Sequence, residues 1–161
     1  MKKIKNTKKL YILMPLLFGI LILASGCFQV KKQAPIPPAG AYKSFDRGAT
    51  WQPKRNLVTP IGYKALTNIN VQLMRIDPQD NNAIYMGTES NGIFYSYNGG
   101  EYWEQPFQLS VGKINDIAID PKNKCVIYTA FSNQLFTTED CHRSGNQVYI
   151  DPRPKILVTS V

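Results

Sequence analysis

The chain has 161 residues, of which 19 are basic and 11 acidic, so its formal net charge is +8. Five of the lysines lie within the first nine residues, which leaves 14 basic against 11 acidic residues in the rest of the chain, an ordinary balance. Without a basic stripe interleaved with aromatic residues, this composition argues against nucleic acid as a partner.

Residues 1–26 have the pattern of a secretory signal peptide. Lysines between Lys2 and Lys9 precede an apolar run of 15 residues, Leu10 to Ala24, and small residues follow. The sequence Ala24-Ser25-Gly26 directly before Cys27 resembles the bacterial lipobox. This resemblance implies that Cys27 is the lipidated first residue of the mature protein. The alternative is an uncleaved membrane anchor, although the run is shorter than the ~20 residues that usually span a bilayer.

Residues 27–40 form a predicted tether between the lipid and the rest of the chain. They show no periodicity and contain Pro35, Pro37 and Pro38. A proline-rich segment of this kind is extended and works as a spacer. We therefore predict an extracytoplasmic protein held by lipid to a bacterial membrane; which membrane is left open.

Residues 41–161 contain a repeated unit. The stretch Ile76–Trp103 recurs as Ile119–Asn146, at an offset of 43 residues that falls to 42 after a one-residue deletion. A unit of about 40 to 45 residues that consists of short strands is typical of a β-propeller blade.

Each copy shows four short runs of alternating apolar and polar residues, bounded by Gly, Asn, Asp and Pro, which favours strands over helices. In the first copy the predicted strands are Val71–Ile76, Ile84–Thr88, Gly92–Ser96 and Glu101–Gln105. In the second copy they are Ile114–Ile119, Val126–Ala130, Gln134–Thr138 and Gln147–Ile150. The predicted fold is all-β: a partial β-propeller of four-stranded antiparallel blades, with about two full blades and a half-blade at each end.

A second pattern marks the turn after the third strand of each unit. The segment Ser44–Trp51 reads S-x-D-x-G-x-T-W, and Ser96–Trp103 is a variant of it. Thr138–Gly145 is a third, eroded version, with His142 where Gly is expected and Gly145 where Trp is expected. The residues that carry the pattern are Ser44, Asp46, Gly48, Thr50, Trp51, Ser96, Asn98, Gly100, Trp103, Thr138 and Asp140.

These segments resemble Asp boxes, also called BNR repeats. Such boxes occur in sialidases, xyloglucanases, the sortilin-type receptor propeller and the photosystem II assembly factor propeller. In those families the boxes lie on the outer rim, away from any catalytic centre, so the resemblance implies a structural role. The local chemistry agrees, since Asp or Asn bonds nearby backbone amides, Gly supplies a positive φ and Trp covers the hairpin.

Two cysteines besides Cys27 remain to be placed. In a hairpin that turns at Ser132–Asn133, Cys125 and Cys141 face each other, and facing residues of an antiparallel pair lie within the range that a disulfide accepts. An exported domain is in the right redox compartment, so we predict this bridge, with two free thiols as the alternative. A zinc site is disfavoured because His142 is the only histidine and the chain has no CxxC pair.

The segment before the first complete unit has the pattern of the last two strands of a blade, and Ile156–Val161 has that of an opening strand. An open array would expose strand edges and blade faces. We expect a truncated gene product, a fragment of a longer propeller, or a protomer that completes a ring by oligomerising.

Three functions remain open at this stage. The first, which we favour, is a non-catalytic binding or assembly scaffold for an unknown protein or glycan, with no cofactor, metal or catalytic residue. The second is a fragment of a sialidase-like or xyloglucanase-like glycoside hydrolase, and the third is a remnant without a function of its own. The enzyme alternative rests on analogy of fold.

Few residues support the enzyme alternative. Arg75-Ile76-Asp77-Pro78 is faintly similar to a sialidase motif, but Asp77 and Pro78 recur in the second copy while Ala118 replaces Arg75. Asp116 and Glu89 are candidates for lining a channel, although solvated turn residues are the favoured explanation for them. Glycosidases generally need two carboxyl groups that flank the scissile bond.

Overall fold

The computed structural model describes residues 40–153 and 155–161, all of which belong to the compact unit Pro37–Val161. The predicted signal peptide, the lipidation site at Cys27 and most of the tether lie outside the described residues. No helix within 40–153 or 155–161 has the length and apolar character needed to cross a membrane.

The described residues form eleven strands and one 3₁₀-helix, Phe107–Leu109. The strands are β1 (Ala41–Lys43), β2 (Gln52–Lys54), β3 (Asn56–Thr59), β4 (Gly62–Ala65), β5 (Val71–Asp77), β6 (Asp80–Thr88), β7 (Ile93–Ser96), β8 (Ile114–Ile119), β9 (Ile127–Phe131), β10 (Gln134–Thr138) and β11 (Asn146–Ile150). All strand pairs within the sheets are antiparallel hairpin neighbours, which confirms the all-β prediction.

Strands β8 to β11 form a four-stranded sheet in sequential order, which we call blade B. Strands β5 to β7 form the equivalent sheet, blade A, whose fourth position is held only by the backbone at Glu104. The amide of Tyr95 donates to the carbonyl of Glu104 at 3.0 Å, and the amide of Glu104 donates to the carbonyl of Tyr95 at 2.8 Å. Strands β1 and β2 pair as a half-blade. The chain is therefore a partial β-propeller, as predicted.

Two details of the sequence prediction are wrong. The expected strand Glu101–Gln105 is reduced to these bridge pairs, because Asn98 holds the start of the segment in a turn and Pro106, which has no N–H, follows it. The expected strand Ile156–Val161 has no ladder partner among the described residues. The amide of Val158 donates to the carbonyl of Ser132 at 2.9 Å, and that of Val161 donates to the carboxylate of Asp116 at 3.2 Å.

The hairpin β3–β4 was not predicted. Its strands are mostly exposed, so they lack the apolar alternation that marks a strand in sequence. The hairpin is held against blade A by Trp103, whose amide donates to Asn56 at 2.7 Å and whose carbonyl accepts from Val58 at 2.8 Å.

Blade A is buried on both faces because side chains alternate along its strands. On β7, Phe94 joins a cluster with the half-blade, whereas Ile93 and Tyr95 join a cluster with blade B. The cluster toward the half-blade consists of Ala41, Leu66, Ile69, Met86, Phe94 and Trp103. The cluster toward blade B consists of Ala83, Tyr85, Ile93, Tyr95, Leu109, Ile114, Ile117 and Ile127.

Candidate functional site

The first box is a closed hydrogen-bond network around Asp46. Its carboxylate accepts from the amide of Thr50 at 2.8 Å, from the hydroxyl of Thr50 at 2.6 Å and from the hydroxyl of Ser44 at 2.8 Å. The oxygen of Ser44 in turn accepts from the amide of Gly48 at 2.6 Å. The side chains of Ser44 and Asp46 thus accept hydrogen bonds from backbone amides of their own loop.

The second box repeats this network with an amide in place of the carboxylate. The hydroxyl of Ser96 donates to Asn98 at 2.8 Å and accepts from the amide of Gly100 at 2.9 Å. The amide of Tyr102 donates to the side-chain oxygen of Asn98 at 3.0 Å. Asn therefore replaces Asp here without loss of the backbone contact.

The third box, expected to be eroded, retains the full network. Thr138 donates to Asp140 at 2.7 Å and accepts from the amide of His142 at 3.0 Å. Asp140 accepts from the amide and the hydroxyl of Ser144, at 2.9 and 2.6 Å. The backbone geometry has survived the loss of the expected Gly and Trp.

All three boxes place two consecutive residues in the left-handed region of φ. The pairs, with their φ values in degrees, are Arg47 and Gly48 (58, 93), Gly99 and Gly100 (67, 85), and Cys141 and His142 (58, 65). A non-glycine residue in this region costs about 1 to 2 kcal/mol. Box 3 carries two such residues, so its contacts with the rest of the fold must offset that cost.

The box carboxylates are held in the ionised form. Hydrogen bonds from the side chain and backbone of Thr50 lower the pKa of Asp46 to about 2. Hydrogen bonds from Ser144 lower the pKa of Asp140 still further. These groups serve to order the loop and are unsuited to proton transfer near neutral pH.

Trp103 and Trp51 occupy equivalent box positions in opposite environments. Trp103 is 1% exposed, and its indole N–H donates to the carbonyl of Lys54 on the half-blade at 2.9 Å. Trp51 is 61% exposed. The tryptophan of a box is thus a wedge between one blade and the blade that precedes it along the chain.

His142 fills the same role in blade B, where the tryptophan is missing. It is 3% exposed, and its ring stacks on Tyr95 and tilts against Tyr85 of blade A. Burial lowers the pKa of His142 to about 4, against a smaller opposing effect from Asp140, so the imidazole is neutral at physiological pH. Its Nε2 has no hydrogen-bond partner among residues 40–153 and 155–161.

A cleft of about 220 Å³ opens beside this contact, between blades A and B. Its lining residues include Asp77, Asp80, Tyr97, Lys124 and Arg143. A cleft of about 260 Å³ lies at the equivalent place between the half-blade and blade A, lined in part by Lys54, Asn81, Gly99 and Trp103. Asn81 lines one cleft and Lys124, its equivalent in the repeat, lines the other. Both clefts are therefore a regular result of stacking one blade on the next.

Asp77 forms the turn after β5. It is fully buried, and one of its oxygens accepts from the amide of Gln79 at 2.7 Å. Its equivalent, Asp120, accepts from the amide of Lys122 at 2.7 Å. The shared turn explains why this aspartate recurs.

Arg75 bridges the first strands of the two blades. It contacts Asp116 at 2.8 Å and donates to the carbonyl of Ile117 at 3.2 Å. Partial burial raises the pKa of Asp116, but hydrogen bonds from Val161 and Ile117, together with the Arg75 charge, lower it overall. The structure does not bring Glu89 to this pair; its carboxylate accepts from Asn70 at 2.5 Å.

Cys125 and Cys141 are joined by a disulfide in the structure, with Cα atoms 4.0 Å apart. The bridge ties the start of β9 to the third box, and the amide of Cys141 also donates to the carbonyl of Cys125 at 3.3 Å. Within the described part of the chain, no three His, Cys, Asp or Glu residues are placed to hold a metal ion.

Comparison with known proteins gives a likeness of fold and one short stretch of sequence similarity. No known protein-family profile matches the chain. A probable oligoxyloglucan-reducing end-specific xyloglucanase of Neosartorya fischeri is 36% identical over 75 residues, which is 44% of this chain and 9% of that protein. The chain therefore spans only a small part of this relative.

Two solved structures are also similar. An ancestral GH74 enzyme superposes with a TM-score of 0.59 at 23% identity, over 75% of this chain and 17% of that one, and it agrees with the propeller fold. The structure of YCF48 bound to D1 peptide has a TM-score of 0.40 at 16% identity, over 66% of this chain and 45% of that one.

Proposed function

We propose that the chain is an exported, lipid-anchored bacterial protein whose Asp-box propeller repeats bind a protein or glycan partner without cleaving it. One observation carries the non-catalytic part: most of the acidic side chains are held in turns, boxes and ion pairs. All 11 acidic residues lie after residue 40, in the part of the chain that the structure describes.

The charge states of these groups support the proposal. A glycosidase needs a carboxylic acid whose pKa is raised, beside a second carboxylate. Among the described residues, each resolved carboxyl shift lowers the pKa instead: Asp46, Glu101, Asp116, Asp140 and Asp151. Hydrogen bonds or ion pairs to Thr50, Lys54, Arg75, Ser144 and Arg153 contribute to this lowering.

Export and anchoring are supported by the sequence before residue 40 and by the disulfide. A bridge between Cys125 and Cys141 is stable in an oxidising compartment outside the cytoplasm. The lipobox-like sequence ends at Cys27, which would carry the lipid.

Labelling with radioactive palmitate in a bacterial host tests the anchor. The full chain should incorporate label and partition with the membrane, whereas Cys27→Ala should do neither. A variant with both Cys125→Ala and Cys141→Ala is the matched control and should be labelled like the original. Label that persists in Cys27→Ala would refute lipidation at this residue.

A glycoside hydrolase is the second candidate, favoured by the stretch of 75 residues that is 36% identical to a xyloglucanase. Incubation of the purified full chain with xyloglucan oligosaccharides, followed by chromatography of the products, separates the two proposals. We expect no new reducing ends above a blank. Release that disappears in Asp116→Asn would establish hydrolysis and overturn the scaffold proposal.

A further inference from the structure

Among the described residues, no blade covers the box tryptophan Trp51, which is 61% exposed. At the equivalent position, Trp103 inserts between blade A and the half-blade and is almost fully buried. Box 1 nevertheless has the intact hydrogen-bond network, so Trp51 is presented in an ordered loop. We propose that Trp51 is a docking residue through which one copy of this chain packs on the outer face of blade B in a second copy.

The repeat identifies where Trp51 would bind. In the half-blade Lys43 pairs with Gln52, and in blade A and blade B the equivalent pairs are Tyr95 with Glu104 and Thr137 with Asn146. Lys54 pairs with Ala41, two residues before Lys43, and the equivalent pair in blade B, beyond a bulge in β11, is Leu135 with Tyr149. Because the carbonyl of Lys54 accepts from the indole of Trp103, the carbonyl of Tyr149 is the predicted acceptor for Trp51 of the other copy.

The outer face of blade B has the character of a blade contact. Tyr128 is equivalent to Tyr85, which is fully buried where blade B covers blade A, yet Tyr128 is 39% exposed. Tyr149 on β11, which pairs with Leu135 on the same face, is also about half exposed. An indole and these aromatic side chains together form a contact of the kind that buries apolar surface.

A second copy is the partner that fits because the wedge and its receiving face both belong to this chain. Such a contact is heterologous, and it closes into a ring if the rotation allows.

Sedimentation velocity on the full chain, purified in detergent over micromolar to millimolar concentrations, tests the proposal. We expect a concentration-dependent dimer. Trp51→Ala and Tyr149→Lys should each be monomeric, and Phe45→Ala is the matched control because Phe45 is a similarly exposed aromatic residue of the same box. Acrylamide quenching adds a direct readout: with two tryptophans in the chain, one should be accessible in the monomer and neither in the dimer.

Mixing the two defective variants gives the decisive result. The Tyr149→Lys copy retains its Trp51, and the Trp51→Ala copy retains its receiving face, so the mixture should form a dimer through the one intact contact. A wild-type chain that stays monomeric across the range, or variants that dimerise as the wild type does, would overturn the proposal. A mixture that stays monomeric while the wild type dimerises would overturn the assigned pairing of Trp51 with blade B.

Discussion

The imidazole of His142 stacks on the ring of Tyr95 across the contact between blades A and B, with centroids 5.6 Å apart and planes 11° apart. The phenol of Tyr95 stays protonated because burial, and then the nearby charge of Glu104, raise its pKa. A neutral imidazole on a neutral phenol suits a site that water does not reach. Protonation of His142 would place an unpaired charge there.

We predict that the protein loses stability as the pH falls from about 6.5 to about 4. The pKa of His142 is about 4 in the folded state, against 6.5 unfolded, so the unfolded state binds more protons in this window. Above pH 6.5 the contribution of neutral His142 to the free energy of unfolding is complete. As the pH falls toward 4, the free energy of unfolding decreases by up to about 3 kcal/mol. Urea unfolding at a series of pH values measures it.

His142→Asn is the control for this dependence, because Asn tolerates a positive φ and does not titrate. His142 is the only histidine, so no other side chain with an ordinary pKa titrates in the middle of the window. The variant should show a much flatter profile between pH 7 and 5 than the original chain. An unchanged slope would mean that His142 is not the group responsible.

Trp103→Ala should lower the free energy of unfolding by about 3 to 5 kcal/mol, since it removes a buried indole from between two blades. Trp51→Ala, at the equivalent exposed position, should change it by less than about 0.5 kcal/mol in dilute solution. Chemical denaturation of both variants below the concentration of association makes the comparison. Equal losses would contradict the wedge role of Trp103.

Replacing Cys125 and Cys141 together with alanine should cost about 3 kcal/mol, the value for closing a loop of roughly 15 residues. The two cysteines are 16 residues apart in sequence. Thermal unfolding with and without a reductant is the measurement. The original chain should become less stable on reduction, and the double variant should be insensitive to it.

Gly92→Ala should destabilise the fold by about 2 to 4 kcal/mol, through a disfavoured φ and a clash. Gly92 has φ +69°, and a Cβ there would meet the backbone of Leu109, where blade A contacts the connection to blade B. Gly145→Ala is the matched control, because nothing lies within 4 Å of its added Cβ. Denaturation midpoints that shift equally for both variants would contradict this explanation.

The sequence predicts the repeated part of the fold well because its signals are local. The bounds of β8 and β10 agree with the predicted Ile114–Ile119 and Gln134–Thr138, since each strand alternates clearly and is flanked by turn residues. Hairpin β3–β4 could not be found in this way, because Asn56 and Val58 are held by the backbone of Trp103, more than 40 residues away. Such a contact is set by tertiary structure, and no local pattern encodes it.

The role of His142 was also missed, although a signal existed. The same box that has His142 in place of Gly has Gly145 in place of Trp, so two departures from the pattern occur together. In the structure, one compensates for the other: an imidazole enters the contact with Tyr85 and Tyr95 where an indole is absent. Considered separately, each departure indicates only decay of the motif.

The box networks have a consequence for how such a chain diverges. Each is built on amide donors of the main chain, and its acceptors are supplied equally well by Ser44, Ser96 or Thr138, and by Asp46, Asn98 or Asp140. Mutations can therefore accumulate over generations while the loop keeps its shape. In related chains of this kind, sequence similarity should therefore be lost sooner than similarity of the backbone fold.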